Sequence, residues 1–331
     1  MNALTFKDFA TDQEVRWCPG CGDYAILKGV QRALAEDGAD PANTVFVSGI
    51  GCSSRLPYYI ESYGFHTIHG RAPAFATGIK LANPELDVWV VTGDGDGLSI
   101  GSNHLLHALR RNIDLNILLF NNEIYGLTKG QYSPTSRPGT QSPSSPTGSV
   151  ESPLAPGPFA LGAGATFFAR CVDIDQKGMP ALFNAAKDHK GTAFVEILQN
   201  CIVYNKDVFD DVVAKKNAAE RQILVQHGEP LLYGKENNQG LRFNAQTLAL
   251  EPVTVGEAGV TLTDIQIHDE TNPMLAQLLV NLGEDSPVAM GIIHRRTAPV
   301  FDQQFWDIRP TQRKQQVKAL LRTGNLLDRR T

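Results

Sequence analysis

Residues 93–126, GDGDGLSIGSNHLLHALRRNIDLNILLFNNEIYG, contain the pattern that decides the fold. An apolar strand leads into a Gly-Asp-Gly turn around Asp94, a helical stretch follows, and a second apolar strand ends at Asn122. Glycines let the backbone approach an anion, and the N-terminus of the next helix favours a phosphate. Asp94 and Asn122 add the hard oxygen donors that suit Mg²⁺ or Ca²⁺. The stretch therefore predicts a magnesium-bridged diphosphate at the ends of two strands.

Two other interpretations of this stretch stay open at the level of the motif. An ordinary glycine-rich turn with an aspartate N-cap has the same appearance over the first half. A nicotinamide-binding fingerprint fits less well, because its glycine spacing and its ribose-binding acid are not both present.

The same strand and helix alternation extends on both sides of this stretch. It is typical of an α/β domain with a doubly wound, mainly parallel sheet, in which ligands bind at the carboxyl ends of the strands. Apolar runs fit for burial on both faces predict strands within 44–51, 87–95, 115–122 and 192–199. Helices are predicted near 23–37, 72–83, 99–111 and 178–190.

Composition excludes several classes of partner. The 331 residues are 42% hydrophobic and carry a formal net charge of -5. The chain therefore lacks the net positive charge that favours binding to nucleic acid or anionic lipid. Charged residues interrupt the first fifteen positions, where a signal peptide needs an apolar core, and no apolar run approaches the ~20 residues of a membrane span. We therefore expect a cytoplasmic protein that binds small molecules or other proteins and no membrane.

The five cysteines predict a metal or catalytic function, because an odd number without a signal peptide argues against a disulfide framework. Cys18 and Cys21 form a Cys-Pro-Gly-Cys pair that fits a redox dithiol, half of a zinc site or half of an iron–sulfur site. A dithiol fits least, since the pair lacks the combined helix and βαβ setting of a thioredoxin site in a small domain, and two further cysteines complete a set of four. Cys171, in FFARCVD, is interpreted as a buried structural cysteine.

Two regions interrupt the alternation. Residues 133–158, SPTSRPGTQSPSSPTGSVESPLAPGP, are too rich in Pro, Ser and Gly for a regular element, and they form either a linker or an ordered loop beside a site. After residue 201 the pattern weakens, so we predict a first domain at 1–205 and a C-terminal extension at 206–331 that docks against a subunit. The tail RKQQVKALLRTGNLLDRR, 313–330, predicts a basic helix.

Five stretches within residues 14–205 carry a resemblance to a known family. They are WCPGCGDYAIL, GIGCSSR, HGRAPAFATGIKLANP, GDGDGLSIG and NNEIYGLTKGQYSPTS. The Gly-Asp-Gly and Asn halves together resemble the thiamine diphosphate motif of thiamine-dependent enzymes. The whole set resembles the beta subunit of 2-oxoacid:ferredoxin oxidoreductases, and it looks more like the 2-oxoglutarate and branched-chain members than the pyruvate ones. The resemblance implies a thiamine diphosphate-binding α/β domain.

The resemblance also implies the residues of three sites. Mg²⁺ would be held by Asp94, Asn122 and the backbone carbonyl of Ile124. Thiamine diphosphate contacts fall on Ile50, Gly51, Cys52, Ser53, His69, Gly95, Asp96, Gly126 and Leu127. One [4Fe-4S] cluster falls on Cys18, Cys21, Cys52 and Cys201. Zinc would satisfy the same four thiolates, although a redox-inert ion beside the thiamine loop would serve no electron transfer.

The implied reaction is the coenzyme A-dependent oxidative decarboxylation of a 2-oxoacid, with electrons leaving through the cluster to ferredoxin. Arg55 suits a substrate carboxylate and, with Leu127, favours 2-oxoglutarate over pyruvate or a branched-chain acid; a surface arginine is the alternative. Lys129 is a candidate contact for coenzyme A or phosphate, or a solvated lysine. His69 is a candidate hydrogen-bond partner of cofactor or substrate, or a packing residue.

The resemblance implies a partner as well. Thiamine enzymes need a glutamate that activates the aminopyrimidine, and it comes from a domain facing the diphosphate-binding one. The sequence shows one such domain, so we expect an alpha subunit to supply the glutamate in an αβ or (αβ)2 assembly. Two other functions remain open: a non-oxidative thiamine enzyme subunit without a cluster, and a zinc-stabilised nucleotide-binding subunit without chemistry of its own.

Overall fold

An eight-stranded sheet organises residues 4–308, the part of the chain that the computed structural model describes. Residues 1–3 and 309–331 lie outside this description, and the predicted basic helix at 313–330 lies there too. The strands are β1 Thr44–Ser48, β2 Tyr63–His66, β3 Asp87–Gly93, β4 Asn116–Asn121, β5 Ile124–Tyr125, β6 Gln131–Tyr132, β7 Phe167–Val172, β8 Ala193–Leu198, β9 Gln222–Val225, β10 Leu232–Tyr233, β11 Gln239–Asn244, β12 Ala249–Thr254 and β13 Val288–Arg295. The α-helices are α1 Asp23–Asp37, α2 Ala72–Ala82, α3 Ser102–Arg111, α4 Pro156–Gly162, α5 Gly178–Asp188, α6 Asp210–Val213, α7 Ala218–Arg221, α8 Pro273–Val280 and α9 Phe301–Asp307.

The main sheet is mainly parallel, as the sequence predicts. Its strand order is β2-β1-β3-β4-β8-β7-β13-β9, and every neighbouring pair is parallel except β7 with β13. The four predicted strands are β1, β3, β4 and β8, and the four predicted helices are α1, α2, α3 and α5. Each of these strands ends before its predicted boundary, because the residues that follow turn into the loops of the candidate site.

Helices cover both faces of this sheet, as expected for a doubly wound fold. Side chains alternate along a strand, so Val88 and Val90 of β3 join one core cluster while Trp89 and Val91 join the other. The first cluster includes residues of α2, α3, α4 and α8, and the second includes residues of α1 and α5. No helix within residues 4–308 has both the length and the apolar character needed to cross a membrane.

The C-terminal region contributes to the main sheet. Strands β9 and β13 form one edge of it, and β10, β11 and β12 form a separate antiparallel sheet. The boundary at residue 205 stays a prediction, but two strands beyond it share a sheet with the first region. Strand β7, in FFARCV, was also missing from the predicted strands, although Cys171 within it is buried as expected.

The segment at 133–158 is an ordered loop rather than a linker between domains. Backbone hydrogen bonds fold it back on itself, from Gly139 N to Ser149 O at 2.7 Å and from Leu154 N to Pro134 O at 2.8 Å. Its last residues also enter a regular element, since α4 begins at Pro156, where proline is well tolerated in the first turn.

Candidate active site

A cavity of about 120 Å³ lies at the carboxyl ends of β1, β3 and β4. The loops that follow these strands form its wall, as expected for an open parallel sheet. Every residue predicted to contact thiamine diphosphate or Mg²⁺ lines it: Ile50, Gly51, Cys52, Ser53, His69, Asp94, Gly95, Asp96, Asn122, Ile124, Gly126 and Leu127. We call this space the cofactor cavity. The structure brings these residues together, and their individual roles stay predictions.

Asp94 begins the loop after β3, and its carboxylate is buried with 2% exposure. Its Oδ2 atom accepts hydrogen bonds from Ser133 Oγ at 2.5 Å and from Thr135 Oγ1 at 2.7 Å. Burial raises the pKa of Asp94, and the two hydroxyl donors oppose that rise. A divalent cation beside this carboxylate would favour its ionised form further.

The turn after β4 presents the second half of the predicted metal site. Asn122 Oδ1 accepts a hydrogen bond from Ile124 N at 3.2 Å, and Asn122 Nδ2 donates to Gln199 Oε1 at 2.7 Å. Between them, Glu123 has a φ of 55°. This value lies in the left-handed region that few residues other than glycine adopt. Because Asn205 Nδ2 also donates to the carbonyls of Asn122 and Glu123, the turn is held in an unusual conformation from two sides.

Asp96 joins the loops of the cofactor cavity to one another. Its buried carboxylate accepts hydrogen bonds from four protein donors: Ile50 N at 3.0 Å, His69 Nδ1 at 2.6 Å, Gly70 N at 2.7 Å and Thr92 Oγ1 at 2.6 Å. The resemblance implies that Asp96 contacts thiamine diphosphate, whereas in the structure its carboxylate accepts hydrogen bonds from the protein itself. Sequence reasoning missed this structural role because the donors lie 4 to 46 positions away.

His69 is oriented by its contact with Asp96. An Nδ1–H that donates to the carboxylate leaves Nε2 of a neutral ring as a hydrogen-bond acceptor. His69 lines the cofactor cavity, and its side chain is 37% exposed. The histidine can thus accept a hydrogen bond from a bound molecule.

The ring of Tyr125 lies so close to position 95 that only glycine fits there. A Cβ atom at position 95 would lie 2.2 Å from Cε1 of the tyrosine ring, and the Tyr125 hydroxyl donates to the Gly95 carbonyl at 3.0 Å. Tyr125 also lines the cavity, together with Thr128, and neither residue was predicted from the sequence. The NNEIYGLT stretch contained both residues, but an aromatic side chain there carries no signal of its own.

A second space of about 260 Å³, the cysteine cavity, adjoins the cofactor cavity. The four predicted cluster ligands line it: Cys18, Cys21, Cys52 and Cys201. Four residues line both spaces: Cys52, Asn122, Gly126 and Leu127. Gly126 leaves room between two of the thiols, since a Cβ there would lie 3.5 Å from Cys52 Sγ and 3.6 Å from Cys201 Sγ.

The Cys-Pro-Gly-Cys pair folds as a tight turn. Cys21 N donates to Cys18 O at 2.9 Å, and Gly20 has a φ of 86°. This geometry matches the third position of a type II turn with proline before it. The turn brings the two cysteines to the wall of one cavity. Helix α1 begins at Asp23, directly after the pair and where a helix is predicted from the sequence.

The thiols of the cysteine cavity differ in burial. Burial raises the pKa of the Cys52 thiol to about 12 and raises the pKa of the Cys21 thiol further. The negative charge of Asp23 raises both pKa values as well, while a backbone hydrogen bond from Asp23 partly lowers that of Cys21. Cys18 is exposed. Within residues 4–308, no three His, Cys, Asp or Glu side chains converge as a site for a single metal ion. The four thiols are instead spread over the wall of the cavity.

Arg55 and Lys129 line the cysteine cavity rather than the cofactor cavity. Arg55 Nε donates to the Tyr59 hydroxyl at 3.1 Å, and Lys129 has a φ of 78° in the turn that follows Gly126. Arg16 lines the same space, and no carboxylate from the described residues does. The structure thus separates Arg55 and Lys129 from His69, while Leu127 lies on the wall between the two cavities.

Comparisons with known proteins agree with this architecture. Residues 49–197 match the C-terminal TPP-binding domain of thiamine pyrophosphate enzymes. Over 300 residues the chain is 51% identical to 2-oxoglutarate oxidoreductase subunit KorB of Mycobacterium tuberculosis. The aligned region covers 89% of this chain and 79% of that protein. The chain is also 51% identical over 189 residues to subunit beta of 2-oxoacid:ferredoxin oxidoreductase 1 of Aeropyrum pernix, covering 57% of this chain and 59% of that one.

A solved structure is similar over nearly the whole chain. It is the 2-oxoglutarate:ferredoxin oxidoreductase from Magnetococcus marinus with 2-oxoglutarate, coenzyme A and succinyl-CoA bound. The TM-score is 0.76 at 33% sequence identity, over 96% of this chain and 97% of that one. The family resemblance and the fold class predicted from the sequence are therefore confirmed, and the chain belongs to the beta subunits of the 2-oxoacid:ferredoxin oxidoreductase family.

Proposed function

We propose that this chain is the beta subunit of a 2-oxoglutarate:ferredoxin oxidoreductase. The enzyme converts 2-oxoglutarate and coenzyme A to succinyl-CoA and CO₂, and it passes two electrons, one at a time, to ferredoxin; the reaction can also run in reverse. The names of the similar proteins support 2-oxoglutarate as the substrate. The observation that carries the proposal is the pair of adjoining cavities with opposite charge.

The cofactor cavity suits a diphosphate only together with a cation. It is lined by the carboxylates of Asp94 and Asp96 and, within the described chain, by no lysine or arginine. An anionic diphosphate would be repelled there unless a divalent cation lay between it and Asp94. Asp94, Asn122 and the carbonyl of Ile124 would hold Mg²⁺, since all three offer oxygen donors. Gly51 has a φ of 134°, and a glycine of this kind allows the backbone to pass close to the cofactor.

The cysteine cavity suits an iron–sulfur cluster. Its four cysteines, Cys18, Cys21, Cys52 and Cys201, would hold a [4Fe-4S] cluster. They are separated along the wall of a space of about 260 Å³, which suits a group larger than one zinc ion. Bound thiamine diphosphate supplies an electron sink for decarboxylation, and the cluster supplies an outlet for single electrons. Cys52 stands on the wall common to both sites, which keeps that transfer short.

Two cations, Arg55 and Lys129, give the cysteine cavity its affinity for anions, and Arg16, which pairs with Glu14 at 3.3 Å, also lines it. Arg55 and Lys129 meet no carboxylate on the described wall of this space. We assign Arg55 to the second carboxylate of 2-oxoglutarate, which its planar fork can bind with two hydrogen bonds. Lys129 takes a phosphate or other anionic group of coenzyme A. His69 accepts a hydrogen bond from cofactor or substrate through Nε2, and Leu127 shapes the space between them.

An alpha subunit completes the site. Small-molecule sites typically measure about 300–1,000 Å³. The cofactor cavity, at about 120 Å³, is therefore only part of one. Large apolar side chains are exposed on β2, on α2 and in the loops that border the cavity: Tyr63, Phe65, Ile68, Phe75 and Ile100. Because exposed apolar surface of this kind marks protein interfaces, we assign it to the partner, which supplies the activating glutamate in an αβ or (αβ)2 assembly.

The decisive experiment is an assay of this chain co-expressed with its alpha subunit under anaerobic conditions. We expect coenzyme A-dependent reduction of ferredoxin or viologen that is fastest with 2-oxoglutarate. Faster turnover of pyruvate or a branched-chain acid would contradict the assignment of Arg55. One zinc per chain, with no iron and no released thiamine diphosphate, would overturn the catalytic function altogether.

A further inference from the structure

Three hydroxyl side chains at the start of the loop at 133–158 contact residues of the candidate metal site from outside the cofactor cavity. We call Ser133, Thr135 and Ser136 the hydroxyl clamp. The short strands β5 and β6 pair antiparallel, with Ile124 opposite Tyr132, so the chain returns from the turn after β4 directly to Asp94. All three hydroxyl residues are buried, with exposures of 3%, 5% and 4%. The beginning of a Pro- and Ser-rich stretch, whose composition is typical of an exposed loop, is thus buried beside the site.

The clamp contacts both halves of the predicted metal site. Ser133 Oγ and Thr135 Oγ1 donate to Asp94 Oδ2, the half that follows β3. Ser136 Oγ donates to the carbonyl of Glu123 at 2.5 Å, in the half that follows β4. Ser133 N in turn donates to Ser136 Oγ at 2.8 Å. One four-residue segment therefore fixes Asp94 relative to the Asn122 turn.

Both hydroxyls bond to the same carboxylate oxygen. Among the described residues, Asp94 Oδ1 receives no side-chain hydrogen bond, whereas Oδ2 receives two. A buried carboxylate needs donors to offset its desolvation, and two donors on one oxygen also fix its rotation. No side-chain donor therefore competes with a cation for Oδ1, although the backbone N–H groups of Gly95 and Asp94 also contribute hydrogen bonds to this carboxylate.

The clamp is itself anchored on rigid parts of the fold. Thr135 Oγ1 lies 3.1 Å from Asn121 Oδ1, and Asn121 Nδ2 donates to Glu196 Oε1 at 2.9 Å. Glu196 forms a buried ion pair with Arg170 of β7 at 2.8 Å. This chain of contacts runs from the clamp through Asn121 of β4 and Glu196 of β8 to Arg170 of β7, so the clamp packs against three central strands.

We propose that Ser133 and Thr135 are positioning residues for the metal that bridges the diphosphate: they hold Asp94 through Oδ2 and direct Oδ1 to the cation. The inference rests on the Mg²⁺ site of the proposed function and adds the groups that orient its carboxylate ligand. Outer hydrogen-bond partners of metal ligands typically change metal affinity about 10–100-fold when removed. Asp94 should therefore bind Mg²⁺ less tightly without either hydroxyl.

The test measures Mg²⁺-dependent binding of thiamine diphosphate to the assembled alpha–beta enzyme, by quenching of tryptophan fluorescence. We expect Thr135→Val and Ser133→Ala each to raise the half-saturating Mg²⁺ concentration about 10–100-fold. Thiamine diphosphate affinity at saturating Mg²⁺ should return to the wild-type value. Thr135→Ser keeps the hydroxyl and should restore the low Mg²⁺ requirement.

A matched control is available in the same loop. Thr140 Oγ1 donates to the Arg137 carbonyl at 2.6 Å and contacts no residue of the site, so Thr140→Val should leave the Mg²⁺ requirement unchanged. The inference is overturned if Thr135→Val and Ser133→Ala need no more Mg²⁺ than wild type. It is equally overturned if their binding defect persists at saturating Mg²⁺, which would indicate a folding role only.

Failure of the proposed function gives a different result. Asp94→Asn should raise the Mg²⁺ requirement more than either clamp variant does. If the wild-type enzyme binds thiamine diphosphate without Mg²⁺, or Asp94→Asn behaves as wild type, the metal site itself is wrong and the clamp has nothing to position. If Asp94→Asn is impaired and the clamp variants are not, only the inference about the clamp fails.

Discussion

The cofactor cavity and the cysteine cavity share a wall but are built in opposite ways. The first is lined by carboxylates, and Asp96 alone receives four hydrogen bonds from the surrounding loops. The second is lined by cysteines and cations, with no carboxylate from residues 4–308. The protein's own hydrogen bonds organise the first cavity, whereas the thiols of the second have few protein partners. We infer that the first is preformed and that the second depends on the group it holds.

The largest effect should come from removing a thiol of the cysteine cavity. Cys201→Ala should abolish iron binding and electron transfer, because a cluster needs all four thiolates. Thiamine diphosphate affinity should stay near wild type, since Cys201 does not line the cofactor cavity. Iron analysis and a binding titration on the same preparation separate the two properties.

Cys171→Ala is the control for that variant, because Cys171 is buried in β7 and lines neither cavity. Its iron content should match wild type. Unchanged iron in Cys201→Ala would remove Cys201 from the proposed ligands, and loss of thiamine diphosphate binding there would contradict the independence of the two cavities.

The next largest effect should come from the preformed side. Asp96→Asn replaces a carboxylate with an amide that can accept fewer of the four hydrogen bonds at this position. Leaving buried donors without a partner costs about 1–3 kcal/mol for each group. We expect a loss of about 3 kcal/mol in the free energy of unfolding, with weakened thiamine diphosphate binding and retained iron. Denaturant unfolding and iron analysis test this.

Asp188→Asn is the matched control, since Asp188 is exposed at the end of α5. Its unfolding free energy should change by less than about 0.5 kcal/mol. An Asp96→Asn enzyme that is as stable as the control would mean that the loops of the cofactor cavity are organised by the cofactor and not by Asp96.

The two cavities also differ in how far the sequence predicts them. The glycine and carboxylate pattern after β3 and the neighbouring strands could be predicted from the sequence. Buried parallel strands are continuous apolar runs, and a protein of this fold binds its ligands at the carboxyl ends of those strands. The structural role of Asp96 could not be predicted from the sequence. The hydroxyl clamp could not be predicted either, because Ser133 and Thr135 lie 39 and 41 positions from Asp94 in a stretch that looks like a linker. Local patterns carry no information about such distant contacts.

The same limit applies to the fold. Strand β9 has only four residues, and β13 pairs antiparallel with β7 and contains an irregularity between Ile292 and His294. Strand β9 is too short for a clear pattern, and Gly291, with a φ of 95°, interrupts the apolar run of β13. The position of Arg55 was also beyond the sequence: GCSSR indicates closeness to the thiamine loop but not which side of Cys52 the side chain takes.

A smaller effect should come from Arg55, and it concerns the cysteine cavity as a binding site for anions. Arg55→Gln should lower kcat/KM for 2-oxoglutarate about 10–100-fold, the loss expected for a charged hydrogen bond of about 1.5–3 kcal/mol. Pyruvate lacks the second carboxylate, so its kcat/KM should change much less. Steady-state assays with both acids give the ratio.

Arg16→Gln tests whether charge alone explains that result. Arg16 lines the same cavity but is largely exposed and pairs with Glu14 at 3.3 Å, so this variant should not distinguish the two acids. Equal losses for 2-oxoglutarate and pyruvate in Arg55→Gln would show that the arginine does not select the substrate.

The smallest effects should come from two glycines, one at each cavity. Gly95→Ala places a Cβ 2.2 Å from the Tyr125 ring. Overpacking of this kind costs about 1–3 kcal/mol. Gly126→Ala places a Cβ no closer than 3.5 Å to the thiols of Cys52 and Cys201, which is ordinary contact. The polypeptide should therefore lose less than about 0.5 kcal/mol, the range of substitutions that disturb no packing.

Thermal unfolding of the two glycine variants measures how much room each cavity wall leaves for an added methyl group. At Gly95 the wall of the cofactor cavity has no room for a methyl group, whereas at Gly126 the cysteine cavity has room until its inorganic group is bound. We therefore expect Gly126→Ala to lower iron content more than stability, and the reverse for Gly95→Ala. Equal losses of stability in both variants would show that the two sides of the shared wall are packed alike.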